Sequence, residues 1–170
     1  MIGLLSAQDA SSAIIKPARE QHVEFTDKAV RAIIAKTHGY PYFLQEWGKH
    51  SWDIARQSPI TENDVFAASG QAIAALDESF FRVRFDRLTP SEKTYLRAMA
   101  ELGEGPHRSG DIAEVMGRAS SSLGPVRSTL IAKGMVWSPT FGDTAFTVPL
   151  FDEFIKRIIS TWSKPAPRGQ

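Results

Sequence analysis

Few residues in this chain have the type and spacing that chemistry requires. Four histidines, His22, His38, His50 and His107, show no HExxH or other metal-binding spacing. The chain has no cysteine, which removes disulfides, thiolate nucleophiles and Cys-ligated zinc together. The histidines therefore read as surface or loop residues. Gly48-Lys49 resembles the end of a phosphate-binding loop. That loop needs a glycine where Phe43 stands and a Ser or Thr where His50 stands, and the pair falls inside an expected helix whose N–H groups are already bonded. Ser120-Ser121-Ser122 lacks the flanking glycines of a nucleophile elbow and reads as a helix cap. Acidic residues alternate with basic ones along helix faces, as on solvated surfaces. We expect no catalytic residue, no metal and no enzyme activity from this chain alone. Binding chemistry remains, in HGYPYFLQ at residues 38–45 and in the basic residues between Arg118 and Lys133.

The elements that must carry these groups form a chain of 170 residues with 42% hydrophobic content, enough for one domain or two small ones. A net charge of +1 makes any surface for a polyanion a local patch. The N-terminus has no basic start and its apolar run breaks at Ser6, unlike a signal peptide. No apolar stretch approaches the roughly 20 residues that cross a bilayer. A cytoplasmic protein with no membrane partner is expected.

Helical periodicity dominates the first half. Ser6 and Asp9 resemble a capping box for a helix that Pro17 should stop. Thr26 caps a second helix with Ala29, Val30, Ile33 and Ile34 on one face. Gly39 ends that unit and Pro41 begins a third helix, with Phe43, Leu44, Trp47, Ile54 and Ala55 inside and Pro59 as its stop. Thr61 and Asp64 open a fourth, reaching Arg84 with Gly70 as a weak point. No strand is expected before residue 88. Thr89-Pro90-Ser91-Glu92 then signals a helix through Leu102. Ser109 caps a short helix, 111–116, closed by Gly117, and Ser120 to Ser122 precede another that ends at Lys133-Gly134. Strands at 135–137 and 144–148 flank a tip at 139–143, and a helix over 151–162 precedes the polar tail. The predicted fold is mainly α: a four-helix domain over 1–87, a winged helix-turn-helix with a two-stranded β-hairpin over 88–163, and a disordered tail, 164–170.

Leu4-Leu5-Ser6-Ala7-Gln8-Asp9-Ala10 and Gly39-Tyr40-Pro41-Tyr42-Phe43-Leu44-Gln45 resemble the lid entry and the Gly-x-Pro motif of AAA-type ATPases, specifically the STAND branch and its replication-initiator-like relatives. Leu88 to Glu92, Gly110 to Ala113 and Leu130 to Val136 resemble the winged helix that ends many of them. The resemblance implies that Gly39, Tyr40 and Pro41 touch nucleotide held mainly by a preceding catalytic core. That core, with its Walker lysine, is absent from this sequence, so ATP is implied as a cofactor only if a core is present. An arginine sensor beside the motif is also missing. On the residues alone, Gly-Tyr-Pro reads first as the end of one helix and the start of the next, with Tyr40, Tyr42 and Phe43 as core.

A winged helix presents the N-terminal residues of its second helix to the DNA major groove. The charged residues from Arg118 to Lys133 are Arg118, Arg127 and Lys133, with no acid among them. Ser120, Ser121 and Ser122 stand where hydroxyls and free N–H groups bind phosphate. Leu123, Val126, Leu130 and Ile131 should face inward, leaving Gly124, Arg127 and Ser128 outward. The candidate DNA contacts are thus Arg118, Ser120, Ser121, Ser122, Arg127, Ser128 and Lys133, with Arg127 foremost. Arg82, Arg84, Arg87, Lys93 and Arg97 form a second basic cluster. The expected partner is double-stranded DNA. The alternative is a regulatory winged helix that binds an ATPase core or another protein, which a wing at 139–143 with no Lys or Arg and one acid, Asp143, would suit.

Overall fold

The computed structural model describes residues 3–165, which form two compact units that divide between Arg82 and Val83. The expected division follows Arg87. The expected tail lies outside the described residues except for Lys164 and Pro165. The fold is mainly helical, as predicted.

The first unit contains α1 (Ala7–Glu20), α2 (Asp27–Thr37), α3 (Pro41–Ile54) and α4 (Glu62–Leu76). Three of the four N-terminal caps are those the sequence signals: the side chains of Ser6, Thr26 and Thr61 accept from the N–H groups of Asp9, Ala29 and Asp64. Pro17 does not stop α1, which continues to Glu20 because Ala10, Ile14 and Ala18 form one buried stripe across it. Burial of that stripe offsets the roughly 3 kcal/mol that a helix-interior proline costs. Helix α3 ends at Ile54, before Pro59. The chain then turns so that Ile60 pairs in parallel with Phe25, a bridge fastened by Thr26 N to Ile60 O at 2.9 Å and Ile60 N to Glu24 O at 2.8 Å. This is extended pairing where none was expected. Gly70 leaves α4 intact. The irregularity comes later, as a π-helical turn at Asp77–Phe81, followed by the short α5 (Arg82–Phe85). The widened turn places Phe80 and Phe81 against Phe43, with ring centroids 5.2 and 5.5 Å away.

The second unit begins with α6 (Pro90–Glu101), whose capping box has Thr89 accepting from Glu92 N and the Glu92 carboxylate accepting from Thr89 N at 2.9 Å. Next come β1 (His107–Arg108), α7 (Ser109–Met116), closed by left-handed Gly117, a 3₁₀ turn (Ser120–Leu123) and α8 (Gly124–Ala132). Strands β2 (Val136–Trp137) and β3 (Asp143–Phe146) and helix α9 (Phe151–Ile158) complete it. The sheet is antiparallel in the order β1-β3-β2, so the expected two-stranded hairpin gains a third strand. Register pairs His107 with Thr144 and Val136 with Phe146. Helix α9 stops short of Trp162 because Arg97, 4% exposed, donates its Nε to the Ile159 carbonyl at 2.6 Å. Residues 83–165 are a winged helix-turn-helix.

Glu92 fastens this unit. Its carboxylate, 3% exposed, also accepts from Lys133 Nζ at 2.7 Å, and that ammonium donates to the Arg87 carbonyl at 3.0 Å. Burial pushes the Glu92 carboxyl up, but the bonds from Lys133 and Thr89 outweigh it and hold the group below its ordinary value. A depressed folded value means stability that is full above the ordinary carboxylate range and lost as pH falls through the folded value. We predict that Glu92→Gln lowers unfolding free energy by about 1–3 kcal/mol at pH 7. Denaturant titrations should show the gap to wild type closing between roughly pH 5 and 3.

Candidate functional site

The turn between α7 and α8 is where sequence reasoning placed most candidate contacts. Ser120, Ser121 and Ser122 are exposed in the 3₁₀ turn, and Ser128 is exposed on α8. None of the three serines caps α8. Ser122 Oγ instead donates to the Ala119 carbonyl at 2.7 Å, and the 3₁₀ turn takes the place of a cap. Arg118 is half-buried, and no hydrogen bond or ion pair ties its guanidinium down among the described residues. It lines a groove of about 920 Å³ together with Lys93, Ser122 and Trp162. The turn thus offers hydroxyls, one untied guanidinium and a concave surface beside them.

Arg127 does not face outward. Its Nε donates to Thr144 Oγ1 at 2.8 Å and its Nη2 to the Asp143 carbonyl at 3.0 Å, joining α8 to the middle strand. Helical spacing accounts for this, since Leu123, Arg127 and Leu130 are four and three residues apart and share one stripe. Leu123 and Leu130 are buried on that stripe, whereas Ile131, expected inside, is 39% exposed and Val126 is half-buried. Thr144 is fully buried, and behind it lies the fully buried phenol of Tyr95. Burial pushes that phenol's pKa up, against the opposing pull of Thr144 and Arg127. Lys133 is equally committed, to Glu92 and Arg87. Two of the three basic residues nominated for DNA are therefore fasteners of the fold. In the second basic cluster, Arg97 is buried against Ile159 and Glu101, and Lys93 Nζ sits 4.3 Å from the Phe85 ring centroid.

The wing carries a feature that sequence reading missed. Phe141 stands at its tip with its ring wholly in solvent, at 107% relative exposure. The absence of Lys and Arg at 139–143 makes the wing unpersuasive as a phosphate contact and hides it. A lone aromatic in a turn of Pro, Thr and Gly was the available signal.

In the first unit, Gly39 and Tyr40 are structural. Gly39 is buried at φ 73°, its carbonyl accepts from Leu5 N at 3.0 Å, and an added Cβ would lie 2.8 Å from the Leu5 carbonyl oxygen. The two stretches that carry the lid resemblance therefore touch each other. The Tyr40 ring packs 4.6 Å from Phe43, while Pro41 is exposed at the first turn of α3. Among the described residues no group of three or more His, Asp or Glu side chains is placed to hold a metal ion. No helix there is long and apolar enough to cross a membrane.

A family profile described as a domain of unknown function (DUF8462) matches residues 78–155. An uncharacterized HTH-type transcriptional regulator of Methanocaldococcus jannaschii is 24% identical over 149 residues, covering 84% of this chain and 36% of that protein. Among solved structures, the RuvB Holliday junction branch migration motor of Thermotoga maritima aligns over 95% of this chain and 51% of its own, at 16% identity and a TM-score of 0.41. A point mutant of the same motor aligns over 94% and 50%, at 17% identity and a TM-score of 0.42. The chain spans about a third of the curated relative's length and half of the solved chains.

Two measurements check these assignments. Arg127→Ala should lower the stability of the second unit by about 1–3 kcal/mol, the range for hydrogen bonds from a charged donor; an unchanged melting temperature would return that side chain to the surface. Gly39→Ala should destabilise the first unit by at least about 1 kcal/mol, because it combines a left-handed backbone with a backbone clash. Thermal unfolding of the variant reads this directly.

Proposed function

We propose that this chain is a DNA-binding module in which the winged helix grips double-stranded DNA through the turn that opens α8. In this reading it is mounted on the lid-type subdomain of an AAA/STAND-type ATPase whose catalytic core is not contained in these 170 residues. The observation that carries it is an acid-free binding face. From Gly117 to Gly142 the sequence holds no Asp or Glu, although the chain has 19 in all. The stretch includes the exposed serines, Arg118 and the wing tip. Hydroxyls and the N–H groups of a helix start suit phosphate oxygens, and Arg118 supplies the charge. The curated relative's description as an HTH-type transcriptional regulator supports the same reading. The chain itself takes no catalytic role, and ATP enters only with a core, where the exposed Pro41 is the part of its motif left to meet nucleotide.

A second reading, a winged helix that binds protein, is favoured by one observation: Arg127 and Lys133 are bonded to partners within their own unit. A salt series separates the two. Labelled duplex should bind with an affinity that falls as salt rises, with a shallow slope equivalent to about one to three phosphates. Arg118→Glu should weaken binding about tenfold or more for any sequence. No binding at low salt would favour the protein partner.

A further inference from the structure

The wing tip is a built turn, and its one unattached part is the Phe141 ring. Thr140 Oγ1 donates to Asp143 Oδ2 at 2.8 Å, and Asp143 N donates to the Thr140 carbonyl at 3.1 Å. The Ser138 hydroxyl lies 2.8 and 3.0 Å from the carbonyl oxygens of Thr140 and Asp143. Ser109 donates both its N–H and its Oγ to the Gly142 carbonyl, each at 2.9 Å, and Gly142 takes the left-handed φ of 84° that lets the chain reverse. Arg127 holds the Asp143 carbonyl from the helix side. Every residue flanking Phe141 is thus anchored, and the ring is presented on a rigid stem at low entropic cost to a ligand.

The chemistry of the tip selects that ligand. Residues 138–142 carry no charge, and the Asp143 carboxylate is occupied by Thr140, so the tip has nothing to offer a phosphate. Nor does it form a broad apolar surface: Ser138, Thr140 and Gly142 are exposed around a single ring. A protein hot spot of this kind is normally surrounded by further contacts that exclude water. A lone planar π-face on a narrow stem fits a flat aromatic ligand that it can stack against, and a nucleobase presents such a face. Wedge residues that unstack base steps are of this type, and stacking on an aromatic is indifferent to base identity.

We propose that Phe141 stacks on a nucleobase, so that the module favours DNA in which a base is unpaired or easily unstacked. This rests on the DNA-binding reading above. The test uses the full chain and two duplexes of one sequence, one fully paired and one with a single-base bulge, each carrying 2-aminopurine at the same site. Wild type should bind the bulged duplex about tenfold more tightly and quench its fluorophore. Phe141→Ser should lose both the preference and the quenching, so that bulged and paired duplexes bind it alike, and Phe141→Trp should keep both. Because the ring touches nothing in the fold, both variants should melt with wild type. Equal affinity of wild type and Phe141→Ser for bulged DNA, with paired duplex still bound, overturns this inference alone. Failure of wild type to bind either duplex overturns the DNA-binding reading and this inference with it.

Discussion

The guanidinium of Arg127 sets the geometry of α8 against the sheet. By donating to Thr144 and to the Asp143 carbonyl it locks the middle of α8 to the central strand of the wing's sheet. Planar, five-donor geometry lets one side chain satisfy a buried hydroxyl and a strand carbonyl at once, which a lysine ammonium does less well. With α8 fixed in rotation, Leu123 and Leu130 point inward and Ser121, Ser122 and Ser128 outward. With Asp143 fixed, the tip of the wing is fixed too. Lys133 closes the other end of α8 onto the capping box of α6 through Glu92. The winged helix thus spends its central charges on internal order, which leaves the Ser120 to Ser122 hydroxyls, the Arg118 guanidinium and the Phe141 ring uncommitted to its sheet.

That economy explains why elements were easier to read than the site. Caps are local chemistry: Thr26, Thr61 and Thr89 each announce a helix within four residues, and the structure uses all three. Burial patterns work over the same short range, which is why Phe43, Leu44 and Trp47 were found inside. What failed depended on distant partners. Pro17 is carried through α1 by a stripe packed from elsewhere in the unit. His107 and Arg108 become a strand only because Thr144 and Asp143 arrive beside them, and two residues leave no periodicity to detect. The π-helical turn at Asp77–Phe81 likewise answers to Phe43 rather than to its own sequence.

Arg127 is the instructive case, because it was misplaced despite a usable signal. A charged residue on a candidate recognition helix invites a functional reading, yet its spacing from Leu123 and Leu130 already put it on the inner stripe. Periodicity ought to have outweighed residue type. The Gly39 region teaches the converse. Its motif carries a resemblance that implies nucleotide contact, and the buried carbonyl, the left-handed backbone and the contact with Leu5 give glycine a structural reason at that position as well. The motif marks here a joint of the fold between residue 5 and the start of α3.

The central claim is that DNA meets the turn before α8 and the tip of the wing, while Arg127 stays at its post inside the second unit. Hydrogen–deuterium exchange of the full chain, with and without the duplex that carries a single-base bulge, tests it most directly. Slowed exchange confined to residues 117–128 and 138–143 is the predicted result, with the sheet amides around Thr144 unchanged. Protection that appears only in residues 3–82, or opening of the sheet around Thr144 on binding, would contradict it.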